Sequence, residues 1–206
     1  MSVTAITSDI EILPNLASPL LGAEIIFATD EWFAAADNML RDEDPVWLAD
    51  DYTPFGKWMD GWESRRRRTE GHDWCIVKLG LPGVIRAIEV DTAYFTGNYS
   101  PKISIYGSYI TGTENQEVSI IDKLILKRND SKEVRPEYGR MGLCADEEEI
   151  TLVAQLQSDQ WTTLVPLSPL DAGYEDTRKT IFQIQQSNGP ITHLRINMGP
   201  DVMEYF

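Results

Sequence analysis

The sequence predicts an all-β fold, an antiparallel sandwich or barrel that is interrupted by a partly helical insertion. Apolar and polar residues alternate with a period of two in several short runs, turn residues separate these runs, and strands do not alternate with long helices. A period of two is the pattern of a strand with one buried face. Short strands separated by turns are typical of an antiparallel sandwich or barrel.

The alternation is clearest in the runs WCIVKL, PKISIYG and ITHLRINM, each of which places its apolar side chains on one face. Turn signals at 81–83, 96–98 and 187–190 separate the runs. In chain order the predicted strands are 24–28, 74–79, 84–91, 101–107, 161–167, 180–185 and 191–198.

The stretch from about Thr111 to Gln157 is highly charged and predicts the insertion between two strands. Asp146 is expected to cap a helix, with Glu149 reaching back to complete a capping box. A second, short helix is expected at Glu31–Leu40. The residues that follow the cap at helical spacing are Ile150, Val153, Ala154 and Gln157.

Charge and length exclude several functional classes. The 206 residues carry 18 basic and 33 acidic side chains, a formal charge of −15, which argues against nucleic-acid and anionic-membrane partners. The length indicates one domain. The sequence shows no apolar run near the roughly 20 residues that span a bilayer and no signal-peptide pattern at its start. Cys75 and Cys144 are expected to be reduced thiols, which predicts a cytoplasmic location.

The segment from Asp60 to Trp74, DGWESRRRRTEGHDW, carries the densest chemistry. The arginine run Arg65–Arg68 could recognise an anionic small substrate, because guanidinium groups bind carboxylates bidentately. The alternatives are a solvated or subunit-interface charge run and, less in keeping with an acidic chain, a nuclear-import signal. His72 could move protons near neutral pH, or it could only bond to backbone.

Several other polar residues lie next to predicted strands. Asp30 and Glu31 could bind a metal or act as a base, with helix capping as the alternative. Asn98 could bond a ureido or amide group, with a turn role as the alternative. His193 shares a strand face with Arg195 and Asn197, either the wet face of a sheet or one wall of a pocket. The sequence contains no phosphate-binding glycine loop and no nucleophile elbow, and its two histidines make a histidine-rich metal site improbable.

Five segments, in this order along the chain, resemble the allantoicase family. They cover nearly the whole chain from about Gly22, and the combination DGWE-S-RR-R, GHDW and DT-FTGNY-P is long and specific. The segments are FATDEWFAAADNML (27–40), DGWESRRRRTEGHDWCIVKLG (60–80), IEVDTAYFTGNYSPKISIYG (88–107), SDQWTTLVPLSPLDAGYEDTR (158–178) and THLRINMGPD (192–201).

The resemblance implies a jelly-roll β-sandwich of the galactose-binding-like kind, usually present as two tandem copies. It also implies the hydrolysis of allantoate to ureidoglycolate and urea, and a homo-oligomer. We expect residues 1–21 to form an N-terminal extension and residues 22–206 to form a single repeat, with the insertion at about 111–157. The second copy, and with it the last strand of the sandwich, is expected to be missing.

On the matched positions, the substrate carboxylate is expected at Arg65, Arg66 and Arg67, of which at most two share a face. Departing urea needs a proton, and a positioned acid contributes about 10²–10⁴-fold. His72 is the first candidate for that acid and Glu63 the second.

Asn98 and Asp30 are the candidates for binding the ureido groups. No cofactor is expected. A divalent metal held by Asp30, Glu31 and Asp73 is an alternative that the sequence does not select. A non-catalytic ligand-binding module, an inactive truncated fragment and an assembly subunit are the alternative functions.

Overall fold

A five-stranded antiparallel sheet lies at the centre of the computed structural model, which describes residues 13–68, 70–112, 115–185 and 189–199. Its strand order is β1-β4-β9-β6-β7, and each neighbouring pair is antiparallel. Strands β5 and β8 pair in a second sheet, and β2 and β3 form a short hairpin. The strands are β1 (Glu24–Ala28), β2 (Tyr52–Thr53), β3 (Gly56–Lys57), β4 (Trp74–Gly83), β5 (Ala87–Asp91), β6 (Lys102–Ser108), β7 (Thr162–Pro169), β8 (Lys179–Gln183) and β9 (Ile191–Met198).

The main core lies between the two sheets. Cys75 and Val77 of β4, Ile105 of β6 and Leu194 of β9 are buried on the inner face of the large sheet. The β5–β8 pair covers them with partly buried apolar side chains, among them Phe182. The inner faces of the two sheets meet in this core, which gives the observed packing of sheet on sheet. The predicted β-sandwich is confirmed, with strand ends that differ from the prediction by a few residues.

The insertion between β6 and β7 contains two helices, α1 (Gln116–Val134) and α2 (Glu147–Ala154). They cover the outer face of the sheet at β1 and β4, where Phe27 and Ile76 pack against Leu124 and Val153 in a second core. The predicted insertion is therefore confirmed, and it forms a third layer on one half of the sheet.

The capping box at the start of α2 is also confirmed. The Asp146 carboxylate accepts the Glu149 N–H at 2.7 Å, and the Glu149 carboxylate accepts the Asp146 N–H at 2.9 Å. The face that α2 buries differs in part from the expectation, because Val153 is buried but Ile150 is 44% exposed and Glu149 is buried. Glu149 lies inward because it pairs with Arg140 at 3.2 Å, and this contact sets the rotation of the helix.

The helix expected at Glu31–Leu40 is wrong over its first half. Only Ala36–Leu40 is helical, as a short 3₁₀ segment. The Glu31 N–H donates to Leu143 O in the insertion at 2.9 Å, and the Glu31 carboxylate accepts the Ala36 N–H at 2.9 Å. Contacts with the rest of the fold replace the helical hydrogen bonds here.

Two predictions on the ends of the chain fall largely outside the described residues. Residues 1–12 of the expected extension and residues 200–206, where the last strand is expected to be missing, are not described. Part of the turn signal at 187–190 is also outside. Leu16 packs against the main core. Among the described residues, no helix has the length and apolar character needed to cross a membrane.

Truncation of a buried side chain of α1 tests whether the helical layer is an integral part of the fold. Leu124 is 1% exposed, and Leu124→Ala should lower the free energy of unfolding by about 2–5 kcal/mol, because it leaves a cavity between helix and sheet. Leu126 on the same helix is 62% exposed, and Leu126→Ala should change stability by less than about 0.5 kcal/mol. Guanidinium-induced unfolding measures both; equal effects would contradict the packing.

Candidate functional site

The candidate residues lie around one end of the five-stranded sheet. Asp30 follows the end of β1, His72 precedes the start of β4, and Asn98 precedes the start of β6. In an antiparallel sheet the end of one strand lies beside the start of the next, so these loops lie at the same edge. The end of β9, with Asn197 opposite Trp74, also lies at this edge.

Arg65 is held by Asp30 and by an aromatic ring. Its backbone N–H donates to Asp30 Oδ1 at 3.0 Å, its Nε donates to Oδ2 at 2.7 Å, and the closest ion-pair distance is 2.6 Å. The guanidinium carbon lies 4.7 Å from the centre of the Trp32 ring. The hydrogen bond to Asp30 raises the pKa of Arg65. Asp30 therefore serves as the partner of Arg65 in this arrangement.

Arg67 is held in a similar way by Asp73. The Arg67 guanidinium donates to Asp73 Oδ1 at 2.8 Å, and the same oxygen accepts the Thr29 hydroxyl at 2.7 Å. Arg65 and Arg67 alternate along the chain, and each pairs with an acid beside the end of the sheet. Arg66 is exposed.

Glu63 and Asn98 form a polar pair at the same edge. Asn98 Nδ2 donates to Glu63 Oε1 at 2.6 Å. The Glu63 backbone pairs with Ala34 in both directions, which fixes the position of the side chain. Burial raises the pKa of Glu63, and the hydrogen bond from Asn98 acts in the opposite direction without cancelling it. Glu63 thus holds its proton to a higher pH than a solvated glutamate.

His72 reaches the last strand of the sheet. Its Nε2 lies 3.0 Å from Oδ1 of Asn197. That oxygen also accepts the Nε–H of Arg195 at 2.8 Å, so it is the acceptor of the Asn197 amide and His72 Nε2 carries the proton. His72 Nδ1 then carries the lone pair.

His193 is separate from His72 and differs in character. It is 4% exposed, its Nδ1 lies 2.8 Å from the Thr192 hydroxyl, and its Nε2 has no partner among the described residues. Burial, with a further effect of the Lys78 charge, lowers the pKa of His193 to about 4. His193 is therefore neutral at pH 7.

The three carboxylates that the sequence offers as metal ligands do not converge. Asp30 pairs with Arg65, Asp73 pairs with Arg67, and Glu31 points into the insertion. Within the described ranges, no group of three or more histidine, cysteine, aspartate or glutamate side chains is placed to hold a metal ion. The donor set does not fit a metal in this arrangement.

Two concavities of about 310 and 350 Å³ lie beside α1. Asp130, Ser131 and Arg135 are among the residues of the first, and Lys78, Asp122 and His193 are among those of the second. Neither is lined by the arginine run or by His72.

A buried ion-pair cluster lies directly after Asp30, at Glu31, and was not predicted from the sequence. Glu31 is fully buried, and its two carboxylate oxygens accept from the Arg128 guanidinium at 2.6 and 2.7 Å. Arg140 adds a bond to Glu31 at 3.1 Å, and Asp37 also pairs with Arg128. Burial opposes the charge of Arg128, but Glu31 and Asp37 raise its pKa overall.

The signal that could have indicated this cluster is the position of Arg128 on α1. It lies four residues after Leu124, on the apolar face that also carries Ile120 and Ile121. An arginine on the buried face of a helix needs an acidic partner, because unpaired buried charges are strongly unfavourable. The sequence alone does not indicate which of the many acids provides it.

This chain matches a known protein family over most of its length. The model described as "Allantoicase repeat" matches residues 14–202. A probable allantoicase of Ralstonia nicotianae is 55% identical over 188 residues, which cover 91% of this chain and 43% of that relative. A probable allantoicase of Photobacterium profundum is 54% identical over 95 residues, 46% of this chain and 29% of the relative.

Solved structures agree with the fold. A structure of allantoicase has a TM-score of 0.61 at 22% identity over 96% of this chain and 50% of that one. Crystalline allantoicase of Saccharomyces cerevisiae also has a TM-score of 0.61 at 22% identity, over 97% of this chain and 51% of that one. The chain therefore spans about half the length of these structures and less than half of the Ralstonia relative.

The buried cluster makes a stability prediction. Arg128→Met should lower the free energy of unfolding by about 3–5 kcal/mol, because it leaves part of the Glu31 charge buried and unpaired. In the double variant with Glu31→Gln, the loss should be smaller than the sum of the two single losses by about 0.5–3 kcal/mol.

The neighbouring Lys127 provides the control. Among the described residues it pairs with the exposed acids Asp146 and Glu148, and Lys127→Met should cost less than about 1 kcal/mol. Guanidinium-induced unfolding of the natural chain, the two single variants and the double variant measures the cycle, and the same measurement on Lys127→Met gives the control. Additive losses for Glu31 and Arg128 would contradict the coupling.

Proposed function

Because this chain belongs to the allantoicase family, we propose that it hydrolyses allantoate to ureidoglycolate and urea. This chain spans about half the length of the proteins that it matches. We propose the activity for this chain by itself. In the net reaction the bond between the central carbon and one ureido nitrogen breaks. The oxygen of water takes its place on the carbon, and the leaving nitrogen gains a proton.

The observation that carries the proposal is the Glu63 carboxyl beside Asn98, whose pKa is raised by burial. A ureido anion is a poor leaving group, so an acid that protonates the nitrogen as the bond breaks lowers the barrier. Burial keeps Glu63 protonated to a higher pH than a solvated glutamate, and the 2.6 Å bond from Asn98 orients the carboxyl. Glu63 is therefore our proton donor.

His72 is proposed as the second proton-transfer group. With Nε2 held by Asn197, its Nδ1 lone pair can accept a proton from the attacking water. A base and an acid of different type at one edge of the sheet supply both proton transfers of the reaction. This division of roles places the acid on Glu63, which the sequence ranks second, and the base on His72.

We propose that no metal or other cofactor is needed, because the pairings of Asp30, Glu31 and Asp73 with arginines leave the carboxylates engaged. Arg65 and Arg67 are proposed to hold the loops at this edge in place through Asp30 and Asp73, with Arg66 at the surface between them. Asp30 and Asn98 are proposed to face the ureido groups of the substrate. Asp30 also positions Arg65, and Asn98 also positions Glu63.

We also propose that the chain forms a homo-oligomer and is located in the cytoplasm. Its proposed partner is the substrate allantoate, and we propose no nucleic-acid or membrane partner. The exposed aromatic side chains of Trp47, Tyr52 and Tyr94 support an interface, and light scattering measures the mass. The free thiols of Cys75 and Cys144 support a reducing compartment.

The activity is tested by urea release from allantoate by the purified chain. We expect steady release that a chelator such as EDTA leaves unchanged, because no step uses a metal. A mock preparation from cells that do not express the chain measures the background from contaminating enzymes. Binding of allantoate without urea release would favour the non-catalytic binding module, and loss of activity with EDTA that a divalent ion restores would contradict the cofactor-free mechanism.

The role of Glu63 predicts the pH dependence of kcat. The active form is protonated, so kcat should fall as pH rises through the raised pKa of Glu63. Asn98→Ala removes a bond that favours the ionised form, so the midpoint of this fall should move to higher pH. Glu63→Gln should lower kcat by about 10²–10⁴-fold and lose the pH step.

The exposed Glu70 of the same segment is the matched control. Glu70→Gln should keep both kcat and the pH profile of the natural chain. A pH step that survives in Glu63→Gln would assign the acid to another group.

A further inference from the structure

Arg195 on β9 is a half-buried cation with an unusual environment. Its guanidinium carbon lies 3.8 Å from the centre of the Trp74 ring, and Tyr106 lies directly opposite it on β6. Its Nε donates to Asn197 at 2.8 Å and its NH1 to Ser158 at 3.0 Å. These contacts hold the guanidinium in one plane against the sheet.

The partners of Arg195 are neutral, whereas several other arginines pair with acids. Arg65 and Arg128 lie 2.6 Å from a carboxylate oxygen. Among the described residues, no carboxylate lies within ion-pair distance of Arg195, and Asp159 acts on it only from farther away. Burial lowers the pKa of Arg195, a sign that its charge is poorly solvated.

Arg195 also has hydrogen-bond donors to spare. The bonds to Asn197 and Ser158 use Nε and one N–H of NH1. Its NH2 donates to no group in the described part of the chain, and it is not among the buried unpartnered atoms there, so solvent reaches it. A carboxylate can accept from such donors in the bidentate geometry that guanidinium groups favour.

His72 and Arg195 share a hydrogen-bond partner, the side chain of Asn197. Oδ1 of Asn197 accepts from both Arg195 and His72, and Nδ2 of Asn197 donates to Ser104 Oγ at 3.2 Å. Asn197 is 4% exposed, so the two side chains are joined by a buried, satisfied amide. The open donors of Arg195 are therefore complementary to the carboxylate of a small ligand whose remaining part lies beside His72.

We propose that Arg195 forms, beside His72, a binding site for a small ureido acid, with the carboxylate on the Arg195 guanidinium and the ureido group next to the His72 ring. The ureido part of this assignment rests on the proposed function. The site differs from the sequence expectation, in which the arginine run binds the carboxylate. Arg65 and Arg67 already neutralise Asp30 and Asp73, so a ligand would gain less from them than from an unpaired cation.

The test uses two stable probes that differ only in the carboxylate, ureidoacetate and methylurea. Neither carries two ureido groups on one carbon, so neither can undergo the proposed reaction. In NMR titrations of the full chain, ureidoacetate should shift the Trp74 indole N–H and the Arg195 Nε–H. It should bind about tenfold or more tightly than methylurea, because charge-assisted hydrogen bonds add to its affinity.

Arg195→Gln should reduce the affinity for ureidoacetate to that for methylurea and leave the latter unchanged, which also reports that the variant is folded. Arg195→Lys keeps the charge but not the planar fork. It should retain part of the preference, and it serves as the test if Arg195→Gln does not fold. The exposed Arg86 is the matched control, and Arg86→Gln should keep the full preference.

Three results would overturn the site: a preference for ureidoacetate that survives both Arg195 variants, a preference that is lost in Arg65→Gln or Arg67→Gln instead, or a natural chain that binds neither probe. The proposed function fails separately. Arg195-dependent binding without urea release from allantoate would support the site and contradict the activity, whereas urea release with an Arg195-independent preference would do the reverse.

Discussion

The buried contact of Glu31 with Arg128 and Arg140 joins the insertion to the segment that follows β1. Glu31 belongs to the segment that leaves the sheet after β1, and both arginines belong to the insertion. All three side chains are almost fully buried. Charges in such a place persist only when each has its partners. The contact therefore requires the insertion to be folded against the sheet whenever the segment after β1 is in place.

The same segment faces the candidate site on its other side. Asp30 directly precedes Glu31 and points the opposite way, to Arg65. The backbone between them is bonded to the insertion at Leu143. The insertion thus supports the site from behind without contributing a candidate catalytic side chain. Its charged composition is explained in part by this supporting role, since the ion pairs hold a segment that has no helical hydrogen bonds of its own.

Much of the positive charge of the arginine run is paired with acids at the edge of the sheet. The chain has a formal charge of −15, and Arg65 and Arg67 each find an acid close by. These arginines stiffen the loops at the edge. Arg195 differs because its neighbours are Trp74, Asn197 and Ser158, which orient a guanidinium without neutralising it. A cation held in that way keeps its attraction for an anionic ligand.

Most of the fold could be predicted from the sequence, because the strand pattern and the capping box depend on neighbours in the chain. The residues that alternate on β4 and β6 bury the predicted faces, and on β9 Leu194 is buried while Ile196 and Met198 are partly buried. The rotation of α2 and the non-helical path after β1 could not be predicted, since the pairing of Glu149 with Arg140 and the bonds of Glu31 join residues distant in sequence.

The candidate site divides in the same way. The sequence by itself determined which loops carry the polar residues, since Glu63, His72 and Asn98 belong to continuous motifs. Only the tertiary structure decided which charges are paired and which remain open. Arg65 and Arg195 look alike in the sequence, but one meets Asp30 and the other a tryptophan ring. The physical reason is that ion pairing depends on distances of a few ångströms between side chains, which only the packing of the strands brings about.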